Sequence, residues 1–234
     1  VEAPATVTVI TRDEIREHGY RTLGDVMRTV PGLYVSNDRN YEYLGVRGFS
    51  RPNDYNSRVL LLIDGRRTNE IIYDSAAFDR SFPIDLHLIE RIEFVPGPGS
   101  ALYGANAFFG VINVITRRGP GDDGVQVSVG AGSRGSSEGA VSSARHYASG
   151  LDLQLAASGY RSRGANQYYP EFDTPATGNG QARNADSERA RRFFGKLRRG
   201  EFTATVALVQ RDKAVPTAAY STVFGDTRFR TRDE

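Results

Sequence analysis

Apolar residues in the first half of the chain follow helical spacing in some segments and strand spacing in others. A β-branched strand over residues 7–10 precedes Thr11-Arg12-Asp13-Glu14, the pattern of a capping box at a helix start. A second helix, capped within residues 22–25, carries apolar residues at helical spacing before Pro31-Gly32 ends it. Strands are predicted over 33–36, 43–47, 58–63, 91–95 and 111–116, and a short helix over 100–103. The pattern predicts a small mixed α/β domain.

The second half alternates apolar and polar residues, as strands with one apolar and one polar face do. Val125-Gln126-Val127-Ser128-Val129 is the clearest example. Strands are predicted over 124–131, 138–147, 151–162, 188–198 and 202–213, with tight turns at 148–150 and 199–201 and longer loops at 132–137, 163–187 and 214–230. Short turns at one end and long loops at the other are typical of bacterial outer-membrane barrels. A soluble β-sandwich gives the same alternation, so both architectures stay open at this point.

Aromatic residues lie near several predicted strand ends. Barrels in membranes carry aromatic girdles at both interfaces. The four residues expected to form such a girdle are Tyr147, Tyr160, Phe194 and Phe202.

Composition narrows the classes of function. The chain has 234 residues, a formal net charge of +2 and no cysteine. A nearly balanced charge argues against a nucleic-acid partner, and the missing cysteines exclude disulfide scaffolds and thiolate chemistry. The breaker-rich run Gly119–Gly124 marks the boundary between two domains, residues 1–118 and 119–234.

Enzyme motifs are incomplete in this chain. Leu102 stands where a dinucleotide-binding loop starting at Gly97 needs its third glycine. Ala105-Asn106 replaces the Lys and Ser/Thr of a phosphate loop, and the three histidines show no metal-ligand spacing. We therefore expect no catalytic residues, no metal site and no cofactor.

Several segments of the first half, taken in order, resemble the plug domain of TonB-dependent outer-membrane receptors. They are Pro4–Thr11, Leu23–Gly32, Val46–Phe49, Val59–Gly65, Ile89–Glu93, Gly97–Gly104 and Gly110–Thr116. The second half is then similar to the opening strands of the barrel that holds such a plug. The fold class that the resemblance implies is an α+β plug followed by antiparallel strands of an incomplete transmembrane β-barrel.

The resemblance also implies location, activity and partners. It predicts a receptor in the outer membrane of a Gram-negative bacterium, in contact with membrane lipid. The plug would gate energy-coupled uptake of a nutrient chelate, most often a ferric siderophore in this family, with cobalamin, haem and saccharides as alternatives. Energy would come from the inner-membrane TonB complex, through a segment expected upstream of residue 1. An alternative of another class is a soluble periplasmic binding module with a β-sandwich second domain.

Four residues are expected to join the plug to the barrel wall. In the resembled family the arginine of Arg-Gly-Phe contacts wall carboxylates, and this role is carried to Arg47, whose guanidinium offers a planar fork of donors. Glu90, Arg91 and Glu93 are expected to make similar contacts, with an ordinary ion pair within the strand as the alternative. The family usually has an arginine where this chain has Pro96, so one ionic contact is absent or supplied elsewhere.

Ligand contacts are expected from plug loops that, in the resembled family, point toward the outside. The loop after Arg47-Gly48-Phe49 contains Arg51, Asn53 and Tyr55, and the next loop contains Tyr73. Tyrosine, asparagine and arginine combine stacking area with hydrogen bonding, which suits a bulky polar chelate. Ordinary polar turn residues are the alternative for each of them. Five strands are too few to close a membrane barrel, so we expect the chain to be part of a longer receptor.

Overall fold

A computed structural model of the chain describes residues 7–50, 54–117 and 123–234. The chain divides into two compact units, Val1–Arg118 and Gly119–Glu234. Within the described residues, no helix combines the length and apolar character needed to cross a membrane.

The first unit opens with a strand and two short capped helices, β1 (Thr8–Thr11), α1 (Arg12–Glu17) and α2 (Leu23–Met27). The predicted capping box is confirmed, because the Thr11 amide donates to Glu14 Oε2 at 2.7 Å and the Glu14 amide donates to Thr11 Oγ1 at 3.4 Å. α2 starts with an equivalent box, formed by Thr22 and Asp25. Side-chain caps of this kind fix where a short helix begins.

The strands of this unit form two sheets. The elements that follow α2 are β2 (Leu33–Asn37), β3 (Glu42–Val46), β4 (Val59–Ile63), β5 (Arg66–Arg67), β6 (Ile89–Pro96), α3 (Ser100–Tyr103) and β7 (Gly110–Thr116). One sheet has five strands in the order β1-β6-β7-β4-β5, and the other pairs β2 with β3. Every residue of β4 is buried, and β4 runs parallel to β7, which confirms the prediction of a central apolar strand.

A β-bulge interrupts β6 at its start. Ile89 pairs with Thr116 and Arg91 pairs with Ile115, so Glu90 is an extra residue without an opposite partner in β7. Because the extra residue shifts the alternation, Ile89 is buried together with Ile92. β1 pairs only with residues 91–94 of β6, so Pro96 lies beyond that pairing, at the strand end where a missing amide donor costs nothing.

The second unit is one antiparallel sheet with loops. Its elements are β8 (Gly124–Gly132), β9 (Ser136–His146), β10 (Leu151–Ser162), β11 (Gln167–Tyr168), β12 (Gln181–Ala182), β13 (Glu188–Arg199), β14 (Phe202–Ala214) and β15 (Arg230–Asp233). Six strands pair in the order β15-β14-β13-β10-β9-β8, one more than the five predicted in full. β11 and β12 form a hairpin inside the loop 163–187. The predicted loop 132–137 is shorter, because only residues 133–135 separate β8 from β9.

The two faces of the six-stranded sheet differ in polarity. The register places apolar side chains on one face, which we call the apolar face: Val125, Val127, Val129, Val141, Leu151, Leu153, Leu155, Phe193, Leu197, Phe202, Val206 and Leu208. The opposite face carries Gln126, Ser128, Ser142, Gln154, Lys196, Arg198, Thr203 and Thr205. The apolar face is exposed, with Val129 at 86%. A β-sandwich would cover such a face with a second sheet. Among the described residues no second sheet packs on it, as the sandwich alternative would require.

The predicted aromatic girdle is only half present on the apolar face. Tyr147 and Phe202 lie on that face, at the end with the tight turns. Phe194 pairs with Ala156 in the middle of β10, and Tyr160 pairs with Ala190, so both belong to the polar face. The prediction was wrong for Phe194 and Tyr160 because closeness to a strand end does not determine the face of the sheet on which a residue lies, which depends on the register.

Candidate functional site

Three tyrosines of the first unit surround Tyr55, and we call the four residues together the tyrosine cluster. The Tyr55 ring lies 5.9 Å from the ring of Tyr41, 6.4 Å from that of Tyr43 and 5.9 Å from that of Tyr73, measured between centroids. The rings meet at tilted or edge-on angles, which aromatic pairs prefer over direct face-to-face stacking. Residues from β3, from the turn before it and from two other loops thus form one aromatic surface.

Asn56 positions the loop that carries Tyr55. Its side chain is buried, accepts from the Leu44 amide at 2.8 Å, and donates to the carbonyl oxygens of Glu42 and Ala76 at 2.9 Å each. Three hydrogen bonds satisfy the buried amide group and tie the loop to β3. Both Tyr55 and Asn56 have positive φ angles, 51° and 61°, a backbone form that asparagine tolerates and tyrosine rarely adopts. The hydrogen bonds of Asn56 hold this strained turn in place.

Asn69 anchors the loop that carries Tyr73 in the same way. Its buried side chain accepts from the Leu61 amide at 2.9 Å and donates to the carbonyl oxygens of Val59 and Asp74 at 3.0 and 2.9 Å. The loop is therefore anchored on β4, an interior strand of the five-stranded sheet.

The Glu70 carboxylate shapes the tip of the same loop. It accepts hydrogen bonds from the backbone amides of Ile72 and Tyr73, both at 2.7 Å. Arg67 and Asp74 form an ion pair across the base of the loop. These contacts leave Ile71, Ile72 and Tyr73 exposed by 92%, 77% and 69%.

The cluster offers a defined chemistry. Tyr43 is buried and its hydroxyl donates to Asp38 Oδ2 at 2.8 Å, so it is a buried packing partner of Tyr55 and is not accessible to a ligand. Tyr73 is exposed and Tyr55 is partly exposed, so both can present ring area and hydroxyl groups to a ligand. Such a surface suits a bulky, partly aromatic molecule with hydrogen-bonding groups. Within the described residues no group of three or more His, Asp or Glu side chains could hold a bare metal ion.

The structure therefore brings two of the four expected ligand residues together. Tyr55 and Tyr73 are neighbours in the cluster, whereas Arg51 and Asn53 lie outside the described residues. Sequence reasoning missed Tyr41 and Tyr43, because Tyr41 lies before the predicted strand 43–47 and the approach of both rings to Tyr55 depends on contacts between separate loops. It also missed the two anchoring asparagines, because their role depends on contacts between loops far apart in sequence.

Arg47 occupies a tight turn rather than a strand. β3 ends at Val46, and Arg47 and Gly48 both have positive φ, 52° and 82°. Two positive φ angles in succession are typical of a type I′ turn, which joins Val46 to Phe49 through reciprocal backbone hydrogen bonds of 2.9 and 3.0 Å. The Arg47 amide donates to the Gly32 carbonyl oxygen at 2.7 Å, and the residue is exposed. The predicted strand 43–47 is thus shifted by one residue from β3, which spans Glu42–Val46.

The other expected contact residues lie on β6. Arg91 Nε donates to Glu93 Oε1 at 2.8 Å, and Glu93 Oε2 accepts from Asn113 Nδ2 at 3.1 Å. This is the ion pair within the strand that was the alternative for Glu93. Glu90 is exposed at the bulge.

Comparisons with known proteins agree on one family. Residues 1–111 match the family described as TonB-dependent Receptor Plug Domain. The chain is 40% identical over 174 residues to the vitamin B12 transporter BtuB of Vibrio vulnificus, covering 73% of this chain and 27% of that relative. It is 34% identical over 120 residues to an iron-regulated outer membrane virulence protein of Vibrio cholerae, covering 50% of this chain and 18% of that relative. These relatives are named as transporters or outer-membrane proteins, not as enzymes.

Solved structures show the same fold. The siderophore receptor PiuA of Acinetobacter baumannii is similar with a TM-score of 0.66 and 22% identity, over 90% of this chain and 27% of that chain. The ferric yersiniabactin uptake receptor FyuA of Yersinia pestis gives 0.63 and 23%, over 89% and 32%. The chain thus spans roughly a quarter to a third of these receptors.

Proposed function

The chain belongs to the TonB-dependent receptors of the Gram-negative outer membrane, and from this premise we propose that it supplies the gate and the first wall strands of a receptor that imports a bulky nutrient chelate. The observation that carries the proposal is the tyrosine cluster, which joins loops of the plug into one exposed aromatic surface. Exposed tyrosines held by buried hydrogen bonds make a preorganised binding surface, which lowers the entropic cost of binding.

The substrate class follows from this surface and from the relatives. A ferric siderophore offers aromatic or amide groups that stack on tyrosine rings and accept hydrogen bonds from their hydroxyls. Cobalamin is the second candidate, because the 40% identical relative is named a vitamin B12 transporter. Both are metal chelates in which the metal arrives as cargo, in keeping with a site built from tyrosines.

Energy coupling and gating complete the proposal. Import against a concentration gradient needs an energy source, and we propose the inner-membrane TonB complex as the partner. Arg47, Glu90, Arg91 and Glu93 are proposed to hold the plug in the barrel through polar contacts with the wall, since the lumen of such barrels is polar. Arg47 is suited to this role because its turn presents an exposed guanidinium.

Uptake by whole cells tests the function. The receptor is produced in a Gram-negative host that lacks its own cobalamin and siderophore receptors, and radiolabelled cobalamin or a labelled ferric siderophore is supplied at nanomolar concentration. We expect uptake of one chelate that stops when a protonophore collapses the inner-membrane potential or when the host lacks TonB. Uptake that persists in either condition would contradict energy coupling. Uptake of neither chelate class would contradict the proposed substrate.

A further inference from the structure

Six arginines surround an open cavity at one end of the six-stranded sheet, and we call them the arginine rim. They are Arg161, Arg163, Arg189, Arg191, Arg230 and Arg232. The cavity has a volume of about 750 Å³ and lies where β10, β13, β14 and β15 meet the long loops. It is separate from the tyrosine cluster, which belongs to the other unit.

The strand register fixes the face on which the arginine rim lies. Arg161 pairs with Arg189, Arg189 with Asp212, and Asp212 with Arg232, so these side chains form one row across four strands. Residues directly opposite each other share a face of the sheet, and the face repeats every second residue. Ala157 and its partner Phe193 lie four residues along the same strands, on the same face. The row therefore borders the apolar face.

Charge in the arginine rim is far from balanced. Among the residues that the structure describes, Asp212 is the only carboxylate that lines the cavity, and it is bound by Arg230, which also donates to Ser187 Oγ at 3.1 Å. Arg161 donates to the neutral Ser137 Oγ at 2.9 Å. Asp212 also lies opposite Arg189 and Arg232, so within the described part of the chain this one carboxylate serves three arginines, and Arg230 alone of the six forms a close ion pair with it. Like charges directly opposite each other, as at Arg161 and Arg189, destabilise a sheet unless an anion lies between them.

The surroundings of the arginine rim indicate which class of anion it would bind. Below the rim the apolar face exposes Val125, Val127 and Val129 by 68%, 72% and 86%, as expected of a surface that contacts lipid chains. The rim lies at the end of the sheet with the long loops, which in outer-membrane barrels is the extracellular end. Arginines at that height meet the headgroups of the outer leaflet.

We propose that the arginine rim binds the phosphate groups of an anionic outer-leaflet lipid whose acyl chains lie along the apolar face. Guanidinium forks bind phosphate oxygens through paired charge-assisted hydrogen bonds, and several forks around one cavity select a headgroup with more than one phosphate. Such a lipid would neutralise the row and would fasten the long loops to the membrane surface. The inference rests on the place of this sheet in the outer membrane and is independent of the nutrient that the receptor imports.

Lipid binding by the purified receptor tests this site. The intact receptor in non-ionic detergent is titrated with diphosphorylated lipid A, and bound lipid is counted by native mass spectrometry. The variant Arg189→Gln/Arg232→Gln removes two members of the row, and Arg199→Gln is the matched control, because Arg199 is an exposed arginine of the apolar face at the opposite end of the same strand. Heat-modifiable electrophoretic mobility and ligand uptake show that each variant is folded.

We expect the double variant to weaken lipid binding by about tenfold or more, the Arg199→Gln control to bind like the wild type, and monophosphorylated lipid A to bind more weakly than the diphosphorylated form. If the double variant does not fold, Arg191→Gln alone is expected to weaken binding by about threefold. Equal binding by wild type and rim variants would overturn the proposal. Full displacement of the lipid by millimolar inorganic phosphate would also overturn it, since it would identify a site for free anions. Unchanged uptake alongside lost lipid binding separates this site from the import function.

Discussion

Asn56 Oδ1 accepts a hydrogen bond from the backbone amide of Leu44 at 2.8 Å, which fastens a loop to the middle of a buried strand. The adjacent residue is Tyr55, the centre of the tyrosine cluster. Binding geometry in this plug therefore depends on an amide side chain that no ligand needs to touch.

Replacing Asn56 with alanine is expected to destabilise the receptor by about 1–3 kcal/mol, because the Leu44 amide and two carbonyl oxygens lose their partner. Ligand affinity should fall as well, since the turn at Tyr55 loses its anchor. Thermal unfolding followed by circular dichroism and equilibrium ligand binding measure the two effects. Asn37→Ala is the control, because Asn37 is exposed and its side chain caps only the local Arg39 amide. Equal losses in both variants would show that the anchor has no special role.

The tyrosine cluster itself is tested by Tyr55→Ala/Tyr73→Ala. Removing two rings from the exposed aromatic surface is expected to weaken ligand binding about tenfold, which corresponds to about 1.4 kcal/mol. Tyr103→Ala serves as the control, since Tyr103 is similarly exposed at 45% but lies on α3, outside the cluster. Intrinsic fluorescence titration with the imported chelate gives the dissociation constants. Unchanged affinity in the double variant would remove the cluster from the binding site.

Acid is expected to loosen α1 through Glu14. Backbone and side-chain hydrogen bonds from Thr11 hold the pKa of Glu14 below its ordinary value of 4.5. A lowered folded-state pKa means that the capping interaction is complete above about pH 4.5 and is lost as the pH falls through the lower value. Hydrogen exchange of the Thr11 amide, expressed as a protection factor, should therefore decrease in that range.

Two substitutions distinguish the cap from general acid effects. Glu14→Gln should lower the protection of the Thr11 amide already at neutral pH and remove its pH dependence. Glu17→Gln, at the other end of the same helix, should leave both unchanged. A pH dependence that survives in Glu14→Gln would assign the effect to another group.

A buried ion pair controls the long loop 163–187. Lys213 Nζ contacts Asp186 Oδ1 at 2.8 Å, both side chains are only 9% exposed, and Asp186 Oδ2 accepts from the Ala165 amide at 3.0 Å. Lys213→Met leaves a buried carboxylate unpaired, at a cost of about 3–5 kcal/mol, which is expected to open the loop. Trypsin should then cut after Arg163 or Arg183 much faster than in the wild type. The double variant Lys213→Met/Asp186→Asn has no buried charge and should regain most of the resistance, and a single variant cut at the wild-type rate would contradict the mechanism.

Local signals in the sequence predicted the fold well. Thr11 and Glu14 predict α1 because a capping box needs only residues three apart. The alternation in residues 124–213 predicts the strands of the second unit to within a few residues, because the side-chain period of a strand is independent of its partners. The lengths of the turns and loops can also be read from the local sequence, and short turns at one end with long loops at the other indicate a barrel.

Features set by distant contacts could not be predicted in this way. The face occupied by Phe194 depends on a register that spans several strands, and the bulge at Glu90 depends on pairing with β7. Tyr55 and Tyr73 could be named as loop tyrosines, but their proximity requires the hydrogen bonds of Asn56 and Asn69. Residue types thus indicate two members of the candidate site, whereas the arrangement of these residues depends on contacts between distant segments.

The parallel pairing of β4 with β7 has a consequence for biogenesis. In the turn after β4, Asp64 accepts hydrogen bonds from the Thr116 amide at 2.9 Å and hydroxyl at 2.7 Å, contacts between residues 52 positions apart. Contacts so distant in sequence form late and slowly. A chain that emerges from its N-terminus therefore presents the five aliphatic side chains of β4 before β7 is available to pair with them.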